Sequence, residues 1–404
     1  MSAVSAPSST IPGLPALVFT ALAGTMAMMA FVAVVGPVVR VLGLAEWHAG
    51  LAVTAAGLLW MLAARRWGVL SDRIGRRRVL LIALAAYAAV YLAMAVFVDV
   101  ALRNPPVVLV SVLALVGTRA LVGLFYAAVP PTAAALIADG ARPGHRAAVM
   151  ARLGAANALG MAVGPAAAGW IAFHDLSLAL YVAAGLPLLS LLVVWWRLPL
   201  DGPLAGGTPR PARQALTWRD ARLRLPVAAV FAAMVSVTIA QVVVGFFAID
   251  RLALSPADGA RVAGLSLTAV GVGLMASQML VMRLKSVPPA RWIALGATIS
   301  ATGFGSLALI DVQWQLLLAY AVASFGMGFV FPSFQALAAD SVDAHEQGAA
   351  QGTVASVQGF GMVIGPLLGT LLYRVSPGAP YLMVAAVLAV LALAAVRHRA
   401  GVVR

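Results

Sequence analysis

Arg119 stands alone in an apolar run, residues 106–129, that holds no other charged side chain. An arginine at mid-helix depth in a bilayer costs on the order of 3 kcal/mol on insertion scales, so a partner or a task must offset it. The chemistry open to it is proton coupling or charge-assisted hydrogen bonding to a carboxylate. A second group lies at Gly68 to Leu81, which reads Gly-Val-Leu-Ser-Asp-Arg-Ile-Gly-Arg-Arg-Arg-Val-Leu-Leu. Asp72 is the one acid beside Arg65, Arg66, Arg73, Arg76, Arg77 and Arg78. A third pattern is Gly160-x-x-x-Gly164-Pro165. Glycines four apart share one helix face and admit a neighbouring backbone closely, and Pro165 removes a hydrogen bond and bends the helix.

The elements that must carry these residues are membrane helices. The chain has 404 residues, 63% hydrophobic and 10% charged, with a mean hydropathy of +0.99. A soluble domain carries about 25% charge. Runs long enough for a hydrocarbon core of about 20 helical residues fall near 15–38, 48–67, 78–98, 106–129, 147–173 and 177–196. Six more fall near 225–249, 260–282, 291–310, 314–338, 348–373 and 380–396. Twelve spans put both termini on one side. Of the 27 Lys and Arg, 21 fall in segments on the side of the Gly68–Leu81 knot, and Arg40, Arg103, Arg251, Arg261 and Arg374 on the other. That bias places the knot in the cytoplasm and accounts for the net charge of +14 without a nucleic-acid partner. There is no cysteine, which excludes disulfides and thiolate metal sites. No Cys/His metal spacing, phosphate loop or nucleophile elbow occurs, so neither an enzyme nor a metal centre is expected. Met1 to Pro15 lacks Lys and Arg, and no cleaved leader is expected.

The chain divides into a cytoplasmic tail (1–14), a six-helix bundle (15–196), a basic linker (197–224), a second bundle (225–396) and a short tail (397–404). At an offset of 201, Pro131 meets Pro332, Asp139 meets Asp340, Gly160 meets Gly361, and Gly164-Pro165 meets Gly365-Pro366. A parallel repeat of this kind relates transporter halves about an axis normal to the membrane. The fold expected is all-α, with two pseudo-symmetric six-helix bundles.

Gly68, Leu70, Ser71, Asp72, Arg73, Gly75, Arg76 and Arg77 together resemble the loop signature of the major facilitator superfamily. Leu115-x-x-x-Arg119-x-x-x-Gly123 resembles the fourth-helix motif of its twelve-helix drug–proton antiporter branch, and Gly160-x-x-x-Gly164-Pro165 resembles that branch's antiporter motif. The resemblance implies that Arg119 faces a central cavity and takes part in proton transfer. It implies that Asp72 caps the eleventh helix across the domain interface and that Asp139 pairs with Arg76, a network holding the outward-open state. It implies export rather than import, with no cofactor beyond the proton gradient.

Of the thirteen acids, none is mid-span, so no embedded carboxylate offers to carry the proton. Glu46 and His48 at the outer end of the second span and Asp250 at that of the seventh are the remaining candidates. An unpaired Arg119 fits an anionic or zwitterionic cargo. Trp60, Tyr126, Asn157, Gln241, Gln335 and Gln358, with Thr25, Phe331 and Phe334, are cavity candidates, and the repeat aligns Asn157 with Gln358 and Arg119 with Tyr320. The expectation is proton-coupled efflux of a small amphipathic compound by alternating access, from a monomer in the bacterial inner membrane. The alternatives are uptake of an organic anion and, behind it, a membrane sensor or membrane-embedded enzyme.

Overall fold

The computed structural model describes residues 13–140, 146–199, 220–284, 287–343 and 346–402. Twelve helices are long and apolar enough to span a bilayer: α1 Leu14–Val41, α2 Glu46–Ile74, α3 Arg76–Arg103, α4 Val108–Ile137, α5 Arg152–His174 and α6 Leu176–Arg197; then α7 Ala221–Arg251, α8 Pro256–Val281, α9 Pro289–Leu309, α10 Gln313–Asp340, α11 Ala350–Tyr373 and α12 Ala379–Arg397. No strand occurs among the described residues.

Helix boundaries follow local chemistry. Pro15, Pro256 and Pro289 open α1, α8 and α9 at positions where a missing N–H costs nothing. Asp175 caps α6, its Oδ1 accepting from the Ser177 hydroxyl (2.6 Å) and from the amides of Ser177 (2.7 Å) and Leu178 (3.0 Å). Those donors hold its carboxyl below the usual range. α4 breaks at Ala127–Ala128, just ahead of Pro130 and Pro131, which have no N–H to continue the ladder.

The arginine knot is not the loop expected. α2 runs through Ile74 and α3 begins at Arg76, leaving Gly75 as the whole connection. Gly75 has φ 104°, a conformation that costs other residues strain, so one glycine reverses the chain where a longer loop was expected. Beyond the apolar span of α12, helical backbone likewise continues to Val402, past the expected boundary at 396. Most of the expected linker lies outside the described residues. Its end, Ala221–Leu223, forms the first turn of α7 in 3-10 geometry, capped by Asp220, whose Oδ1 accepts from the Arg222 amide at 2.9 Å.

α1 packs on α5 and α6, α2 on α4, and α3 on α6; α7 packs on α11 and α12, α9 on α10 and α12, and α8 on α10. The two groups of six meet where α1 crosses α7, α2 crosses α11 and α5 crosses α8. Small residues permit these crossings, because between helices in lipid close van der Waals contact replaces the hydrophobic effect. A methyl added to Gly36 would lie 3.1 Å from the Phe246 backbone, and one on Gly169 would lie 2.8 Å from the Gly264 Cα. Thr54 of α2 donates to the Val363 carbonyl of α11 at 2.8 Å. Towards the arginine knot the situation reverses, since methyls on Gly68, Gly154 and Gly352 would meet nothing within 4 Å. The halves are closed at the far face and parted towards the knot. Gly68 of the loop signature has no neighbour to pack against, because its face of α2 lies in the parted region.

Candidate functional site

Arg119 is buried, with 1% exposure. Its guanidinium lies 4.2 Å from the Phe31 ring centroid, and Nη2 approaches the Met28 Sδ at 3.7 Å. Nε and Nη1 have no hydrogen-bond partner among the described residues. Beyond it, Tyr87 and Tyr91 of α3 donate to the Gly24 (3.1 Å) and Ala27 (2.8 Å) carbonyls, which fastens α3 to α1. The guanidinium is therefore sealed between α1, α3 and α4, and does not face a central cavity as the resemblance implied. The tyrosine hydroxyls spend their protons on α1, and their oxygens, still able to accept, take no bond from Nε or Nη1. An aromatic face supplies about 2 kcal/mol or more to a desolvated cation, less than the cost of its burial.

Two turns along α4, at the Ala127 break, Tyr126 joins a chain of three. Its hydroxyl is 2.8 Å from Thr25 Oγ1, and the Thr25 hydroxyl donates to Asn157 Oδ1 at 2.8 Å. Residues on α1, α4 and α5 named separately from sequence thus form one connected group. Gly160 and Gly164 make it possible: their added methyls would lie 2.7 Å from the Leu22 carbonyl oxygen and 2.6 Å from that of Met26, so α5 rests directly on α1. The repeat reproduces this in the other half, where Gly361 and Gly365 rest on Met234, Val235 and Thr238 of α7. Pro165, next along the helix, has its carbonyl against Gly264 of α8.

The remaining cavity candidates divide. Gln241 and Tyr320 border a cavity of about 20 Å³ among Ala240, Leu274, Phe304 and Ser324, the space of roughly one water. Tyr320 is no counterpart of Arg119 in chemistry. Its hydroxyl donates to the Ala240 carbonyl at 2.8 Å and meets the Tyr381 hydroxyl at 2.7 Å, tying α7, α10 and α12 together. Phe334 is core, and Trp60 and Phe331 pack against it. Gln358 is half-buried and Gln335 exposed, the Gln335 carbonyl accepting from Gln351 Nε2 at 3.0 Å.

At the knot, Asp72 does not cap α11. Its side chain is 64% exposed and pairs with Arg76 one turn on, Nη1 to Oδ1 at 3.1 Å. With the halves parted here, the nearest cation on its own side takes the carboxylate. Arg73 is exposed. Arg77 clasps the end of α6, donating to the Leu198 (2.9 Å) and Trp195 (2.7 Å) carbonyls. The side chain of Asp139 lies outside the described residues, and with it the expected pairing to Arg76.

The far face holds a cluster that sequence reasoning named only in pieces. Arg40 at the end of α1 pairs with Glu46 of α2 at 2.6 Å and with Asp250 of α7 across the halves. Tyr373 of α11 donates to Asp250 Oδ2 at 2.7 Å, and the Phe246 ring lies 5.4 Å beneath the Arg40 guanidinium. Glu46 and Asp250 carried a signal as outer-end acids; Arg40, counted only for topology, gave no sign that it would sit between them. His48 turns away, its Nδ1 accepting from the Ala45 amide at 3.1 Å.

The chain matches the Major Facilitator Superfamily over residues 16–310 and 229–401. It is 31% identical over 344 residues to the class G tetracycline resistance protein of Vibrio anguillarum, covering 82% of each chain. To the class C tetracycline resistance protein of Escherichia coli it is 29% identical over 339 residues, covering 81% of each. Its fold superimposes on a crystal structure of the nucleoside transporter NupG (TM-score 0.73, 13% identity, 95% and 99% of the two chains). It also superimposes on an inward-facing, occupied bacterial homologue of the human lysosomal transporter Spinster (TM-score 0.73, 14% identity, 95% and 96%). Family match, relatives and twelve spanning helices agree on an integral membrane transporter rather than an enzyme: the chain belongs to the Major Facilitator Superfamily.

Proposed function

We propose that the protein exports a small amphipathic compound, of the tetracycline type named for its relatives, from the cytoplasm across the bacterial inner membrane, and that the proton gradient drives it. The observation that carries this reading is the asymmetry of closure. The far face is held by a cross-half ionic cluster, while the halves part towards the arginine-rich face, which the charge bias assigns to the cytoplasm. In that state the site is reached from the inside, and the tetracycline resistance relatives favour loading rather than release there.

Asp72 and Arg76 then act as the inner half of a two-sided device. Paired with each other while the inner face is open, they exchange partners with α11 when it closes, and the Arg40 cluster lets go in turn. Arg119 is a fixed positive charge with unused donors, and a shift of α1 that withdraws Phe31 and Met28 brings it within reach of water or of a proton acceptor. Sealed as it is here, it gives no preference for an anionic cargo. The test uses inverted vesicles with an acid interior and tetracycline as probe. Accumulation that collapses with the proton gradient supports the reading; uptake in right-side-out vesicles instead overturns the direction, and transport indifferent to the gradient overturns the coupling.

A further inference from the structure

Hydrogen-bond bookkeeping gives the Thr25 group a direction. A threonine hydroxyl has one proton, and that of Thr25 is spent on Asn157 Oδ1 at 2.8 Å. Tyr126, 2.8 Å away, must therefore donate to Thr25. The chain runs Tyr126 to Thr25 to Asn157, and it fills the amide oxygen. The Asn157 Nδ2, with two protons, has no acceptor among the described residues. Thr25 and Tyr126 are buried, at 7% and 8% exposure, but Asn157 is only half-buried.

The place matters as much as the direction. Ala162 of α5 still meets Gly271 of α8 across the halves, while a methyl on Gly154 would stand in open space. Asn157 lies between these two positions, where the closed part of the interface gives way to the open part. The seat of Gly160 on Thr25 fixes α5 against α1 at this level, so the amide cannot swing freely. It offers donors at a defined point of the opening.

We propose that Asn157 contacts the cargo and sets its class, donating from Nδ2 to an oxygen acceptor such as a keto, enolate or carboxylate group, with Thr25 and Tyr126 as positioning residues. An ammonium group presented at the same point, a donor with no lone pair, would oppose donor to donor and be rejected, because a site built for one polar pattern leaves the wrong one unpaired. This rests on the export reading above.

The test is equilibrium binding of tetracycline, a compound edged with keto and enol oxygens, to the purified full-length protein, followed by tryptophan fluorescence and paired with melting temperature. Asn157→Asp retains the oxygen that accepts from Thr25 and removes both donors; Kd is expected to rise about ten-fold or more at unchanged melting temperature. Thr25→Val, which unfastens the amide, is expected to weaken binding, and Thr25→Ser, which restores the hydroxyl, to recover it. That rescue separates positioning from bulk packing. If the wild type binds and Asn157→Asp binds equally well, the assignment of Asn157 is overturned while the export reading stands. A wild type that does not bind tetracycline at all removes both.

Discussion

Asp250→Asn isolates the cross-half latch from everything around it. The substitution retains shape and the oxygen to which Tyr373 donates, a contact within one half, and it removes the charge that Arg40 holds from the other. Arg40 retains Glu46 at 2.6 Å, so no cation is stranded. The side chains of Arg40 and Asp250 are 27% and 28% exposed. The pair thus lies between exposed ones, worth about 0.2–1 kcal/mol, and buried ones, whose breaking costs about 3–5 kcal/mol. A loss of about 1–2 kcal/mol is expected, which raises the population with the far face open about 5- to 30-fold. Because the chain has no cysteine, Thr370→Cys supplies a single reporter at a fully buried position of the α2–α11 crossing. Its labelling by a maleimide applied at the far face should accelerate by that factor in the Asp250→Asn background. Arg251→Ala, which removes a pair to Asp311 within one half, should leave the rate as it was. Equal labelling with and without Asp250→Asn would refute the latch, and equal acceleration by Arg251→Ala would show the assay to report general loosening.

Arg119→Met replaces an uncompensated buried cation with a side chain that suits its Phe31 and Met28 surroundings. It should stabilise the protein by an amount on the order of 3 kcal/mol in thermal melts while abolishing proton-driven transport in vesicles; loss of stability would show that the charge has a partner. Gly164→Ala should cost about 1–3 kcal/mol, since its methyl would lie 2.6 Å from the Met26 carbonyl oxygen, whereas Gly154→Ala, facing open space, should change the melt by about 0.5 kcal/mol or less. Asp175→Ala should cost about 1 kcal/mol as a lost helix cap. Because folding depresses its carboxyl, that contribution is present above the unfolded value of about 3.9 and is lost as pH falls through the folded one, which comparison of neutral and acid melts will show.

Composition and the spacing of charge determined the membrane class, the twelve spans and the division into halves, because the bilayer imposes length and apolarity on each segment independently of the rest. Glycine spacing likewise announced which faces of α5 and α11 would lie against a neighbour, since close approach needs small residues wherever the partner comes from. Pairing across the chain was decided only by the tertiary structure. Which cation sits between Glu46 and Asp250, which hydroxyl reaches Asn157, and whether Arg119 meets a chamber or a phenyl ring depend on how six helices rotate about their axes. The conformational state has the same origin. Asp72 can pair with Arg76 or reach another helix at similar cost, and packing of the two halves, rather than local sequence, selects between them.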